Sequence, residues 1–256
     1  MIKRIAVVSD GDSFYEAVVE AAKEQEAQVV RATGADAAPA GTAVVLAGGG
    51  DASKALKTAL ACAAQGEGLL CLLAEAIDCR ESFSPGSSLR VRDHAMRFAD
   101  ALGLSEDDRF TLERGALVRD IGKLKVPNNI LLKGGLLTYE EWDVLHKHPH
   151  FGADAVQEVG ALRDTVDIVR RHHECYDGTG YPDGLEGEAI PFLARVMRIL
   201  DVYCAMTSER HYRNGFSTHD EAIEYIQEEK GKHFDPDLAQ VFIDAQVGRC
   251  EGPSGA

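Results

Sequence analysis

What this chain has little of narrows what it can be. Its six cysteines stand at positions 62, 71, 79, 175, 204 and 250 without a Cys-x-x-Cys pair, which removes zinc ribbons and thioredoxin-type redox motifs. Scattered in this way, they are expected to be reduced thiols. Positive charge is short: 27 Lys and Arg face 42 Asp and Glu, a net −15. General nucleic-acid binding is therefore disfavoured, because the phosphate backbone would be repelled, although a local cluster of Lys and Arg can still hold a small anion. Long apolar runs are missing. The most apolar stretch, Gly68 to Ile77, contains Glu75 and falls short of the roughly 20 residues a membrane-spanning helix needs. The opening Met1 to Val8 is too short for a signal peptide. No membrane association is expected, and the cytoplasm is the expected location. There is no internal repeat. Gly48-Gly49-Gly50 is followed by neither G-x-G-x-x-G nor G-K-[ST], so it reads as a strand-to-helix turn rather than a phosphate cradle.

What is present describes a globular protein of 256 residues, 45% hydrophobic and 27% charged, enough for one large domain or two smaller ones. The expected fold class is α+β overall. Residues 1–81 alternate strand and helix patterns, with strands expected at Arg4 to Ser9, Ala27 to Val30, Ala43 to Ala47 and Leu69 to Leu73. Helices are expected at Phe14 to Lys23 and Ser53 to Ala64. This is the signature of a small parallel sheet. Ser82 to Ser88, with Pro85 and Gly86, is a turn-rich joint. Beyond it, residues 82–248 show helical spacing at Leu89 to Leu102, Glu106 to Val118, Tyr139 to His146, Gly152 to Val159, Thr165 to His173, Pro191 to Ser208, Thr218 to Glu228 and Pro236 to Ala245. Gln246 to Ala256 is a polar, Gly-containing run expected to be frayed, with residues 249–256 as the tail beyond the helical domain.

Chemistry-bearing residues recur in the helical part: Asp120, His148, His172, His173 and Asp201. Imidazole nitrogens and carboxylates together suit a borderline transition ion such as iron, manganese or zinc. Immediately before Asp120 stands Arg119. A guanidinium has five donors and no free lone pair, so it cannot ligate a cation.

The chain resembles the HD-GYP family, phosphodiesterases that hydrolyse cyclic di-GMP. The carrying residues are Asp120-Ile121-Gly122-Lys123, Ile130-Leu131-Leu132-Lys133, Leu137-Thr138, His148-Pro149 with Gly152, His172-His173-Glu174, Asp177 to Pro182, Gly184-Leu185, Ile190-Pro191, Asp201-Val202-Tyr203 and Ala205 to Ser208. The resemblance spans about Ser87 to Phe242 and implies an all-helical domain. It implies metal ligands at Asp120, His148, His172, His173 and Asp201, with Asp120 and Lys123 in catalysis. Lys123, Tyr181, Arg210 and Arg213 are implied as ligand-binding residues, and the Asp177 to Gly187 loop as a contact for diguanylate cyclases.

Several positions depart from the family pattern. The upstream His falls at Ser87, the His of the His-Asp pair at Arg119, a second acid at Cys204, and a Pro at His211. The expectation is a degenerate member holding one transition ion or none, which binds cyclic di-GMP or a protein partner with little hydrolysis. An active phosphodiesterase with a reduced metal site, and a scaffold acting through the Gly180-Tyr181-Pro182 loop, are the alternatives; a homodimer is left open. Residues 1–81 resemble, more loosely, a response-regulator receiver. Asp10 ends the first strand, but Gly48 stands where the phosphoacceptor Asp belongs and Asp51 comes too late.

Overall fold

A computed structural model describes residues 4–8, 28–31, 42–46, 68–78, 86–208 and 217–249. The chain divides into two compact units, Met1–Leu70 and Cys71–Ala256. In the first, the β-branched runs form parallel strands β1 (Arg4–Val8), β2 (Gln28–Arg31) and β3 (Thr42–Leu46). The order is β2-β1-β3, with Ile5 opposite both Val29 and Ala43. A parallel pair needs a crossover connection. The helices expected to supply it, Phe14 to Lys23 and Ser53 to Ala64, lie outside the described residues, as do Asp10, Gly48 and Asp51.

The fourth expected strand is corrected. Residues 68–78 form a helix, α1. A short apolar run does not by itself distinguish strand from buried helix. Here the leucines and alanines favour helix, and Ala74 and Ile77, three apart on one helical face, are both buried. The division between units also falls before the turn-rich joint: Asp78 accepts the N–H and the hydroxyl of Ser88, both at 2.8 Å, which ties α1 to the helical unit.

In that unit most expected helices form. The one expected at Gly152 to Val159 begins at His148, where Pro149 suits a first turn, and the one expected at Leu89 begins at Ser87. Helix α2 (Ser87–Leu102) ends at Gly103, where φ is 62° and the N–H returns to Ala99 and Asp100. Helix α3 (Glu106–Val118) starts at Ser105, whose side chain caps Asp108 N–H, with Glu106, Asp107 and Asp108 in its first turn. Then follow a 3-10 turn (Ile121–Lys125), α4 (Asn128–Leu131), α5 (Tyr139–Leu145), α6 (His148–Gln157), a second 3-10 turn (Gly160–Thr165) and α7 (Val166–Arg171). After a loop come α8 (Phe192–Met206), α9 (His219–Glu228) and α10 (Pro236–Asp244). Capping boxes at Thr138/Glu141 and Thr218/Glu221 start α5 and α9.

Helix α8 runs through the core. Its Val196, Met197, Ile199 and Leu200 are fully buried among Val91 and Phe98 of α2, Leu112 of α3 and Phe242 of α10. Phe98 and Phe242 meet edge to face at 5.1 Å. The start of the stretch expected to fray, from Gln246, is packed instead: Val247 is buried and Gly248 lies against the Tyr203 ring. Residues 250–256 lie outside the described residues.

Packing at one glycine fixes the site. A Cβ on Gly122 would stand 1.9 Å from the His148 carbonyl oxygen and 2.5 Å from Gly152 N. Only a glycine lets the Ile121–Lys125 turn lie against the start of α6 and bring Asp120 to His148.

Candidate metal and ligand site

Four chain segments converge. The end of α3 delivers Arg119 and Asp120, the start of α6 delivers His148, the end of α7 delivers His172 and His173, and α8 delivers Asp201. Asp120, His148, His172 and His173 each offer a ligand atom, and these atoms all lie within 4.8 Å of one another. His148 Nδ1 points at the Leu145 carbonyl at 2.8 Å, and His172 Nδ1 at the Val169 carbonyl at 3.0 Å. These contacts leave both Nε2 atoms buried without a hydrogen-bond partner. Two unpartnered imidazole nitrogens facing a carboxylate are the kind of donors a cation takes, so the residues fit one metal ion. Such an ion, if held by Asp120, His148, His172 and His173, would supply Lewis acidity toward a phosphoryl oxygen.

Burial sets the protonation states. It pushes His148 down to about 3 and also lowers His172 and His173, so all three imidazoles are neutral at pH 7 and open to a cation. For Asp120, burial alone would raise the carboxyl, but Lys123 and Arg119 outweigh it and hold it well below the usual range. Asp201 is likewise lowered, with Arg119 overcoming burial.

Arg119 is 4% exposed, and its guanidinium is almost fully engaged. Nε donates to Asp201 Oδ1 at 3.1 Å, Nη2 lies 3.3 Å from Asp120 Oδ2, and Nη1 donates to Ser88 Oγ at 3.2 Å and to the Ala116 carbonyl at 2.9 Å. The two carboxylates hold its pKa above the ordinary value against burial, which acts to lower it. Sequence reasoning singles out Ser87. The structure instead brings Ser88 to the guanidinium, with Asp78 behind it. Nothing in the local pattern marks Asp78, because its role comes from the packing of α1 against the start of α2.

The other expected residues are placed as follows. Asp201 does not join the four-atom group; its Oδ2 is 3.9 Å from His173 Nδ1 while Oδ1 is held by Arg119. Lys123 Nζ sits 3.0 Å from Asp120 Oδ1. Cys204 is a buried thiol pushed up to about 12 by burial and so is protonated. Arg210, His211 and Arg213 lie outside the described residues. His94, seven residues beyond Ser87, packs against Tyr203 with ring centroids 5.5 Å apart.

Tyr181 has both faces covered, by His146 at 4.0 Å and by His173 at 4.8 Å, each with its ring plane 23° from that of Tyr181. Its ring cannot stack on a ligand base. Only its edge and hydroxyl remain, and burial raises that hydroxyl's pKa, which keeps it a neutral donor. Sequence reasoning misses His146, since a lone histidine on a short helix carries no signal of its own.

The loop bearing Tyr181 is pinned. Glu174, 1% exposed, accepts the backbone N–H of Asp183 at 2.7 Å and of Leu185 at 3.2 Å. Asp183 is gripped by Arg170 through two hydrogen bonds and by Arg171 at 3.2 Å. A Cβ on Gly180 would stand 2.2 Å from Cys175 N, so the loop lies flat on the backbone after the histidine pair.

Fold and site together define an all-helical domain with a histidine-aspartate centre. The HD domain family matches residues 71–238, and the chain belongs to that family, in its HD-GYP branch. It is 40% identical over 178 residues to the cyclic di-GMP phosphodiesterase response regulator RpfG of Xanthomonas campestris pv. campestris, covering 67% of this chain and 46% of that protein. It is 43% identical over 139 residues to a cyclic di-GMP phosphodiesterase of Vibrio cholerae, covering 52% of this chain and 28% of that protein. The chain thus spans less than half the length of these two relatives. Its fold is also that of the crystal structure of a Vibrio cholerae cyclic GMP-AMP specific phosphodiesterase, with a TM-score of 0.55 and 21% identity over 71% of this chain and 48% of that one. Among the described residues, no helix is long and apolar enough to cross a membrane.

Proposed function

We propose that this protein binds a cyclic dinucleotide, cyclic di-GMP first among them, in a pocket that holds at most one transition ion, and that it turns the ligand over slowly or not at all. One observation carries this reading: the guanidinium of Arg119 bridges Asp120 and Asp201 in the interior. Like unit charges about 4 Å apart repel by roughly 4 kcal/mol at an effective dielectric near 20, and a divalent ion faces about twice that. A second ion beside Arg119 is therefore strongly disfavoured, and Arg119 serves as a fixed cation in its place. In-line phosphodiester hydrolysis gains most from two ions, which stabilise both the attacking and the leaving oxygen. Lys123 keeps a positive charge at the pocket, and Arg210 and Arg213 are the further basic residues proposed for the ligand phosphates.

A second reading, an active one-ion phosphodiesterase, is favoured by the orphaned Nε2 atoms of His148 and His172 and by the names of the relatives. Metal analysis of protein purified without chelators, paired with an assay for linear dinucleotide product, separates the two. About one ion per chain with bound but uncut ligand supports the first. Turnover that chelators abolish supports the second, and two ions per chain would sink the first. We further propose that the first unit, Met1–Leu70, is a receiver-like domain without a phosphoacceptor, which the β2-β1-β3 parallel order fits. Docking of a protein partner such as a diguanylate cyclase on the Asp177 to Gly187 loop is the scaffold version. It predicts partner binding that survives Arg210→Ala with Arg213→Ala and fails when the loop is altered.

A further inference from the structure

The ions at the pocket nearly cancel. Asp120 and Asp201 carry two negative charges, Arg119 and Lys123 carry two positive ones, and these four are paired with one another. A fifth group breaks the balance. Arg198 lies on α8, three residues before Asp201 and hence on a neighbouring stripe of that helix. Its Nη2 reaches the Cys175 sulfur at 3.4 Å, two residues after His173. Among the described residues it has no carboxylate partner, and its Nε–H is buried without an acceptor. A thiol is a weak acceptor, so among the described residues this half-buried guanidinium makes no strong hydrogen bond.

We infer that Arg198 is an anion-binding residue of this pocket, presenting its free guanidinium edge to a phosphodiester oxygen of the ligand. This rests on the cyclic dinucleotide reading above for the ligand, but not for the anion. The remaining donors suit an anion of this kind. A planar fork matches two phosphate oxygens, and one phosphodiester charge would neutralise this guanidinium, which has no carboxylate partner among the described residues. With both faces of Tyr181 covered, the ligand is gripped near His173 by charge and hydrogen bonds rather than by stacking on that ring.

The test uses the full chain with Arg198→Met, which keeps the aliphatic packing, and Arg198→Lys, which keeps the charge. Melting curves without ligand report folding, and two probes are titrated: cyclic di-GMP by calorimetry and inorganic phosphate by thermal shift. The expected result is a roughly ten- to hundredfold weaker cyclic di-GMP affinity for Arg198→Met, as loss of a charged hydrogen bond implies. Arg198→Lys should recover part of it, and the phosphate-induced shift should be lost in Arg198→Met. If Arg198→Met binds both probes like the wild type, the inference is overturned while the dinucleotide reading stands. If the wild type ignores cyclic di-GMP yet is stabilised by phosphate through Arg198, the anion site stands and the dinucleotide reading falls. If the wild type binds neither probe, both fall.

Discussion

Arg119 Nε donates to Asp201 Oδ1 at 3.1 Å, and this bond joins the end of α3 to the middle of α8 beside the histidine cluster. The pair, with Asp120, has the arrangement in which breaking is costly: removing the cation strands two buried carboxylates. Arg119→Met is expected to destabilise metal-free protein by about 3–5 kcal/mol, read from urea unfolding. Arg119→His combined with Ser88→His, at the residue that actually meets the guanidinium, should raise the metal content above one ion per chain. Elemental analysis showing no more metal in that variant than in the wild type would count against the cation-replacement idea.

Glu174 holds the loop after the histidine pair through two backbone N–H groups. Glu174→Ala leaves both without a carboxylate and should cost roughly 1–3 kcal/mol. Hydrogen exchange at Asp183 and Leu185 should accelerate in the variant, while amides in the α8 core stay protected. Unchanged exchange at these two positions would show that the loop is held by other contacts.

Gly122→Ala forces a methyl group into the His148 carbonyl. The turn must retreat from α6, which separates Asp120 from His148. The expected outcome is a loss of about 1–3 kcal/mol in stability together with weaker metal binding in a competition assay with a coloured chelator. A variant with wild-type metal affinity would mean that the close approach does not set the site.

Acid should unfold the metal-free protein from nearly neutral pH downward. Burial pushes His148 down to about 3 and lowers His172 and His173, whereas unfolded histidine titrates near about 6.5. Below that value the unfolded chain takes up protons that the folded one refuses, so stability falls with pH, for His148 down to about 3. A tenfold change in proton affinity is about 1.4 kcal/mol. Asp120 and Asp201 have lowered folded values. The stability they contribute is present above about 3.8 and is lost as pH falls through their folded pKa values. Melting temperatures should decline from pH 7 to 4, and His148→Gln should flatten the decline. A flat profile in the wild type would contradict neutral, buried imidazoles.

Much of the helical unit is legible in local chemistry. Ser105 followed by three acids and an apolar stripe sets α3 at its observed limits, Glu106–Val118, because a cap and a dipole are satisfied within one turn of the chain. That Arg119 cannot bind a metal follows from its functional group alone. The run at Leu69 to Leu73 misleads for an equally physical reason: four or five apolar residues satisfy a buried strand and a buried helix alike, and only packing separates them.

Amino-acid identity by itself determined the family motifs, the starts of α3, α5 and α10, the acidic charge balance and the presence of one obligate cation beside Asp120. Tertiary structure decided that Ser88 and Asp78 rather than Ser87 complete that cation's surroundings, that His173 joins the donor group while Asp201 is drawn to Arg119, and that His146 closes one face of Tyr181. These choices depend on where side chains from distant helices point once the core is packed. A buried charge or an orphaned nitrogen is settled by its neighbours in space, and residues far apart in sequence carry no mark of that proximity.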